Sequence, residues 1–260
     1  MVENKPIIQI TDLYKSFGSS RVLNGINLSV YPGEVIGYIG PNGAGKSTTV
    51  KILCGLLGDF KGEVRVGGFS VKDDPLEVKK RIGYVPELAE LYDVLTPEEY
   101  LMFMADLYGL DRDIASSRII KILTALGLRH NIRQRMGTFS KGMRQKVLLT
   151  SGILHNPEII ILDEPLSGLD ANSVIIVKEL IEKLASSGKT IFYCSHMMDI
   201  VEKISDRIVL INNGSIAADG TMESLKSVRG DTSLEKVFSS LTAKEEDKNA
   251  AADILESFQM

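Results

Sequence analysis

The sequence carries one glycine-rich run with a recognisable chemistry, Gly40-Pro41-Asn42-Gly43-Ala44-Gly45-Lys46-Ser47-Thr48. It fits the pattern G-x-x-x-x-G-K-[ST], and it lies between an apolar run typical of a strand and a stretch typical of a helix. In such a loop the backbone N–H groups converge on phosphate oxygens, and the N-terminus of the helix adds partial positive charge. We therefore expect all nine residues to cradle phosphates, with Lys46 neutralising the β- and γ-phosphates and the Ser47 hydroxyl binding Mg²⁺. A glycine-rich turn without such a role is the alternative.

A second run, Ile159 to Leu162, is apolar and ends in the carboxylates Asp163 and Glu164. The carboxyl ends of parallel strands share one edge of a sheet, so both groups should lie near the phosphate loop. Asp163 fits a Walker B residue that holds Mg²⁺ through water. Strand side chains alternate in direction, and Glu164 is therefore expected to point elsewhere and to accept a proton from an attacking water.

Short apolar runs alternate with helical patterns along the chain. Strands are expected at Val35 to Gly40, Ile82 to Val85, Ile159 to Leu162, Thr190 to Cys194 and Ile208 to Ile211. Helices are expected at Pro97 to Tyr108, Ile114 to Leu126 and Ala171 to Leu184. This order predicts an α/β domain with a parallel sheet and right-handed crossovers.

Three regions depart from that alternation. The first 35 residues, together with Glu63 to Val66, predict a small antiparallel sheet beside the main one. Asn213-Gly214 between two apolar runs predicts a tight hairpin. Near the end, Leu234, Val237, Phe238 and Leu241 have helical spacing, and the charged stretch from Ala243 onward is expected to be loosely ordered.

Composition excludes several classes of protein. The 260 residues are 44% hydrophobic and 25% charged, which excludes a disordered or low-complexity chain. A net charge of −4 does not favour nucleic acid, and no apolar run approaches the ~20 residues of a membrane span. The N-terminus has no secretory signal, so we expect the chain in the cytosol. Cys54 and Cys194 are expected to be buried apolar residues.

A third motif narrows the class of nucleotide enzyme. Between the phosphate loop and Asp163 lies Phe139-Ser140-Lys141-Gly142-Met143-Arg144-Gln145. This run resembles the signature motif of the ATP-binding-cassette (ABC) family, usually Leu-Ser-Gly-Gly-Gln. The family's other motifs appear in the expected order along the chain. Phe17 resembles the aromatic that stacks on adenine, and Glu87 occupies the Q-loop position. Ser167-Gly-Leu-Asp170 matches the D-loop, and His196 matches the switch histidine. The resemblance runs from about Ile8 to Leu241.

The resemblance implies a fold and a mechanism. The fold is that of a P-loop NTPase with a RecA-like parallel-sheet core, an N-terminal antiparallel β subdomain and an inserted helical subdomain. Two such domains would enclose ATP and Mg²⁺, with Lys46 of one subunit facing Ser140 and Gly142 of the other. Asp170 would join that interface, Glu87 would reach the metal, and His196 would hold the γ-phosphate and water in line.

The resemblance also implies an arrangement of domains. Residues 1–230 would form the nucleotide-binding domain, with a helical subdomain at about 88–150. Residues 231–260 would form a helical extension and tail.

One branch of the family is similar in further detail. Tyr84-Val-Pro-Glu87, Leu91-Tyr92, Leu95-Thr-Pro-Glu98 and Ser233-Leu-Glu-Lys-Val-Phe238 resemble the ATPase subunits of exporters of drugs, polysaccharides, sodium ions or peptides. In that branch the ATPase and the membrane permease are often separate chains. The partners implied are a second nucleotide-binding subunit, identical or not, and a permease that holds the chain at the cytoplasmic face of the membrane. Met102, Phe103, Met104 and Tyr108 are candidates for the permease contact, or else for the core of the helical subdomain.

Three departures from the family pattern keep alternatives open. Glu87 stands where Gln is usual, Lys141 replaces a Gly, and Met143 replaces the signature Gln. The extra carboxylate brings negative charge towards phosphate, so turnover is expected to be slow or dependent on a partner. One alternative is a soluble cassette ATPase, for example in iron–sulfur assembly. The other is a regulatory module without catalysis.

Overall fold

The computed structural model describes residues 5–88, 90–229 and 233–242. The strands are β1 Ile8–Phe17, β2 Ser20–Val30, β3 Val35–Ile39, β4 Lys61–Val66, β5 Phe69–Ser70, β6 Ile82–Val85, β7 Ile159–Asp163, β8 Thr190–Cys194, β9 Arg207–Asn212 and β10 Ser215–Gly220. The α-helices are α1 Lys46–Leu53, α2 Pro75–Arg81, α3 Pro97–Leu107, α4 Arg112–Ala125, α5 Lys141–Ile153, α6 Ala171–Ser186, α7 Met198–Ile204, α8 Met222–Arg229 and α9 Leu234–Thr242.

The core is a six-stranded sheet in the order β10-β9-β3-β8-β7-β6. Every pairing from β9 to β6 is parallel, as the alternation of strands and helices predicts. All five residues of β3, β7 and β8 are buried, because helices cover both faces of the sheet. Each of the five predicted core strands is present, with its ends within one residue of the expected ones.

A second sheet and a hairpin account for two of the departures from the main alternation. β1, β2, β4 and β5 form the predicted antiparallel sheet, with strand order β2-β1-β4-β5. Asn213 (φ 48°) and Gly214 (φ 76°) form the predicted turn between β9 and β10. Both values are positive, as a tight hairpin of this kind requires.

The segment between β6 and β7 contributes a separate apolar cluster built from α3, α4 and α5. Leu101, Ile119 and Val147, one from each helix, are at most 1% exposed within it. A capping box begins α3: Oγ1 of Thr96 accepts from the Glu99 N–H at 3.2 Å, and the Glu99 carboxylate accepts from the Thr96 N–H at 2.8 Å. This cluster fits the expected helical subdomain, whose boundaries remain a prediction.

The C-terminal helix occurs where its periodicity predicts it. Leu234 and Val237 of α9 are buried, and Phe238 and Leu241 pack partly buried on the helices beside the core sheet. The predicted tail from Ala243 onward lies outside the described residues. Cys54 and Cys194 are free and buried, as expected. Among the described residues, no helix is long and apolar enough to cross a bilayer.

Candidate nucleotide-binding and hydrolysis site

Four neighbouring parallel strands, β3, β8, β7 and β6, end at one edge of the core sheet. The chain beyond each of them contributes to a cavity of about 700 Å³. Its lining residues are Val22, Asn42, Gly43, Gly45, Lys46, Ser47, Thr48, Glu87, Asp163, Glu164 and His196. The structure therefore brings most of the phosphate loop together with both carboxylates, the Q-loop residue and the switch histidine.

The phosphate loop depends on two glycines for its shape. Gly45 has φ 110°, and a Cβ there would lie 2.5 Å from a methyl group of Leu23. A Cβ on Gly40 would collide with the carbonyl oxygen of Ile211. Only glycine allows the backbone to pass this close and to enter α1 from the left-handed region. These two glycines therefore let the loop pass close to β2 and β9 and lead into α1.

Lys46 is the first residue of α1, and its ammonium lies along the loop. Its Nζ donates to the carbonyl oxygens of Gly40 at 2.6 Å and Pro41 at 3.1 Å. The Ala44 N–H donates to the carbonyl of Pro41 at 3.2 Å, within the loop itself. Gly40, Pro41 and Ala44 thus shape the loop and hold Lys46, although they do not line the cavity. Their predicted contact with phosphate stays a prediction.

Ser47 and Asp163 both line the cavity, and the Ser47 hydroxyl lies beside the Asp163 carboxyl. Burial, reinforced by the negative charges of Glu87 and Glu164, raises the pKa of Asp163 to about 6. A hydroxyl beside carboxylates is an oxygen donor set of the type that Mg²⁺ prefers. Within the described residues no three His, Cys, Asp or Glu side chains are arranged to hold a metal unaided. This arrangement fits a cation shared with nucleotide phosphates.

Glu164 lies one residue beyond β7 with φ 47°, a conformation that is uncommon outside glycine. Its N–H donates to the Cys194 carbonyl at 2.9 Å, which ties the residue to the end of β8. The carboxylate Oε1 contacts Nδ1 of His196 at 2.9 Å, and Oε2 accepts from the Ser195 hydroxyl at 3.0 Å. Glu164 is 12% exposed, whereas His196 is 74% exposed. The backbone turn and two side chains therefore aim this carboxylate into the cavity.

Ser195 is a positioning residue that the sequence motifs do not single out. It is 1% exposed, and besides donating to Glu164 it accepts from the Met197 N–H at 3.2 Å. A hydroxyl between a buried strand and His196 is the sequence signal that would have identified it. Val22 of β2, which lines the cavity, carries no such signal.

We expect Ser195→Ala to lower kcat for ATP about ten-fold and to leave KM nearly unchanged. A hydrogen bond to a charged group contributes ~1.5–3 kcal/mol, and part of that should be lost when the carboxylate is no longer held in line. KM should stay nearly unchanged because Ser195 does not line the cavity in which the nucleotide would bind. Steady-state kinetics on the wild type, Ser195→Ala and Ser195→Thr tests this, and threonine should restore part of the rate. Ser187→Ala, at an exposed helix end, is the matched control, and an equal loss in both alanine variants would exclude the positioning role.

Besides Gly40, Pro41 and Ala44, four predicted site residues lie outside this cavity. Phe17 ends β1, is 48% exposed, and has the Lys15 ammonium 4.9 Å from its ring centroid. Ser140, Gly142 and Asp170 lie at the starts of α5 and α6. Their contacts with nucleotide stay a prediction.

The start of α5 packs on the loop that follows Glu164. The Ser140 side chain caps α5 by accepting from the Met143 N–H at 3.3 Å. A Cβ on Gly142 would lie 2.5 Å from the carbonyl oxygen of Gly168, so only glycine fits. The Lys141 ammonium donates to the Ser167 hydroxyl at 2.8 Å. The signature run and the D-loop are therefore one packed unit.

Asp170 has a local structural role in that unit. It caps α6 by accepting from the Ser173 N–H at 3.0 Å and from the Ser173 hydroxyl at 2.6 Å. The Lys146 ammonium lies 3.2 Å from the same carboxylate. Hydrogen bonds from Ser173, followed by that from Lys146, hold the pKa of Asp170 well below its usual range.

The chain is similar to several known proteins. A family model described as ABC transporter matches residues 23–167. The linearmycin resistance ATP-binding protein LnrL of Bacillus subtilis is 36% identical over 90% of this chain and 76% of its own length. The bacitracin transport ATP-binding protein BcrA of Bacillus licheniformis is 34% identical, over 85% and 71%. A solved structure of the ATP-binding subunit of an ABC transporter has a TM-score of 0.85 and 31% identity, and the match covers 90% of this chain and 99% of that one.

The family match spans the phosphate loop, the signature run and the Walker B strand, and the match to the solved subunit covers nearly the whole fold. The sequence resemblance is thereby confirmed, as is the α/β fold that it implies. The chain belongs to the ABC transporter family and is an ATP-binding-cassette ATPase.

Proposed function

We propose that this chain is the ATP-hydrolysing subunit of an exporter, and that it drives a separate membrane permease by dimerising around ATP. Its location would then be the cytoplasmic face of the membrane, held there by the permease. The similarity to LnrL, a resistance protein, and to BcrA, a transport protein, supports export. The alternative of a soluble cassette ATPase has no such support among these relatives.

The placement of Glu164 is the main support for hydrolysis in this proposal. Its carboxylate faces the cavity that Lys46 and Ser47 line, and it is held by Ser195 and His196. A carboxylate in this position can accept a proton from a water that attacks the γ-phosphate. His196, which is largely exposed, is free to contact the γ-phosphate on its other face.

Lys46, with the loop N–H groups, would bind the β- and γ-phosphates and offset the charge that develops between them. Ser47 and Asp163 would hold Mg²⁺, with Glu87 beside them at the mouth of the cavity. When bound, the cation would neutralise charge on the phosphates. The protein residues would position the phosphates and the water.

A second subunit would complete the site. Ser140 and Asp170 are exposed, and neither lines the cavity of its own chain. The Ser140 hydroxyl and the Gly142 N–H at the start of α5 can bind an anion presented by another molecule. We therefore place these residues, with Asp170, against the nucleotide of a partner cassette, and Phe17 against adenine on its own chain.

The helical subdomain would receive the permease. Large apolar side chains are exposed at several positions between β6 and the end of α3, namely Leu88, Tyr92, Val94, Phe103 and Leu107. Of the four candidates from the sequence, Met102 and Met104 pack against the subdomain cluster, and Tyr108 stacks on His155 at 3.6 Å. Phe103, 50% exposed, is the one left available for a partner.

We expect Phe103→Asp to reduce association with the permease at least ten-fold and to leave the ATPase rate of the isolated chain unchanged. A charge at a buried contact costs several kcal/mol, but Phe103 does not touch the nucleotide cavity. The measurement is co-purification with the membrane protein encoded beside this chain, both co-expressed in one host.

Tyr31→Asp, at a 37% exposed tyrosine after β2, is the matched control. Equal recovery of the permease with Phe103→Asp and with the wild type would reject this docking surface. No recovery of any membrane protein with the wild type would count against the exporter proposal itself.

A further inference from the structure

Three carboxylates line the cavity that would receive the phosphates. Glu87, Asp163 and Glu164 line it, while Lys46 is its lysine and His196 its histidine. Glu164 is held by Ser195 and His196, and Asp163 lies beside Ser47. Within the part of the chain that the structure describes, Glu87 has no hydrogen-bonding or ion-pair partner.

The negative charge of Glu87 acts on a residue that would lie near the phosphates. It acts on Asp163 as a like charge, although Glu87 itself lies exposed at the cavity mouth. The Lys46 ammonium already donates to two loop carbonyls, those of Gly40 at 2.6 Å and Pro41 at 3.1 Å. One lysine therefore faces three carboxylates before any ligand enters.

A free nucleoside triphosphate adds roughly four negative charges to this cavity, whereas its complex with a divalent cation adds roughly two. An unpaired carboxylate repels the metal-free form, and no cation offsets that repulsion. In the complexed form the cation attracts the same carboxylate and offsets the repulsion. An unpaired carboxylate in this position would therefore affect the two forms of one ligand differently.

We propose that Glu87 makes nucleotide binding dependent on a divalent cation, by rejecting metal-free nucleoside triphosphate while accepting its metal complex. The proposal rests on the proposed ATP site and adds a selection step to it. Glutamine at this position would keep an oxygen towards the cation but would not repel the free nucleotide.

The test is equilibrium binding of a fluorescent ATP analogue to the wild type, Glu87→Gln and Glu90→Gln, in Mg²⁺ and in EDTA at low salt. Glu90 is an exposed glutamate of the same loop that does not line the cavity, so it serves as the matched control. In EDTA we expect Glu87→Gln to bind about five-fold tighter than the wild type, which corresponds to ~1 kcal/mol at 1.4 kcal/mol per ten-fold. In Mg²⁺ the affinity should change less, and the EDTA gain should shrink as salt screens Glu87.

Three results would overturn the proposal. Equal EDTA affinities for Glu87→Gln and the wild type would show no selection. An equal gain in Glu90→Gln would show a general surface charge effect. A loss confined to the Mg²⁺ arm would make Glu87 a metal ligand only. Failure of the wild type to bind in Mg²⁺, or full binding by Lys46→Ala, would instead reject the nucleotide site on which the proposal rests.

Discussion

Glu164→Gln is expected to lower the ATPase rate by 10²–10⁴-fold while ATP binding persists, because the change removes a general base without removing a phosphate contact. Glutamine has nearly the same shape and can still accept from the Ser195 hydroxyl, which lies 3.0 Å from Oε2. It cannot take a proton from water. Steady-state ATPase assays and nucleotide binding measured on the same preparation separate the two effects.

The same variant should accumulate as a dimer. If two cassettes close around ATP and reopen after hydrolysis, blocking hydrolysis holds the closed state. Gel filtration with light scattering should then show a dimer in MgATP and a monomer in MgADP. Wild-type chain in MgATP should return to monomer as ATP is consumed.

Glu158→Gln is the matched control for this experiment. Glu158 is exposed and precedes β7 at the end opposite to Glu164, so it should behave as the wild type in both assays. Hydrolysis by Glu164→Gln within ten-fold of the wild-type rate would remove Glu164 from the proposed role. Absence of a dimer despite blocked hydrolysis would contradict the dimerisation step instead.

Much of the fold follows from local signals in the sequence. β3, β7 and β8 are apolar on both faces, which occurs where helices cover a parallel sheet, and the glycine run after β3 marks the edge at which ligands bind. Asn213-Gly214 determines a turn by its own backbone preference. Such features depend on few neighbours, and for this reason they can be predicted without a structure.

The orientation of Glu164 could not be predicted in this way. The motif indicates a carboxylate after β7, but the positive φ and the contacts with Ser195 and His196 arise only because β8 pairs beside β7. Ser195 is distant from Glu164 in the chain, so its role follows from sheet order and not from spacing. The same holds for Met102 and Met104, whose packing is decided by α4 and α5.

The start of α5 illustrates a different limit. Ser140 and Gly142 match a family motif, yet in this chain they cap a helix and pack against the D-loop. Because the Lys141 ammonium binds Ser167, three residues after Glu164, a shift of α5 would be transmitted to the hydrolytic loop. Contact of α5 with a partner's nucleotide could thus be coupled to the position of Glu164.

Lys46→Ala is expected to weaken ATP binding by at least about 100-fold and to abolish measurable hydrolysis. Truncating one member of a desolvated charge pair costs ~2–5 kcal/mol, and Lys46 is the lysine among the residues that line a cavity with three carboxylates. The ammonium also donates to the Gly40 and Pro41 carbonyls, so the variant loses part of what shapes the loop. Isothermal titration with MgATP measures the loss of affinity directly.

Lys51→Ala separates this effect from a general loss of helix charge, since Lys51 is an exposed residue in the last turn of the same helix. It should bind MgATP within two-fold of the wild type. Thermal unfolding without nucleotide shows whether Lys46→Ala keeps its fold, because the core of α1 rests on the buried Val50, Ile52 and Leu53 and not on Lys46. A folded Lys46→Ala chain that binds and hydrolyses ATP like the wild type would overturn the phosphate-loop assignment, and with it the electrostatic argument for Glu87.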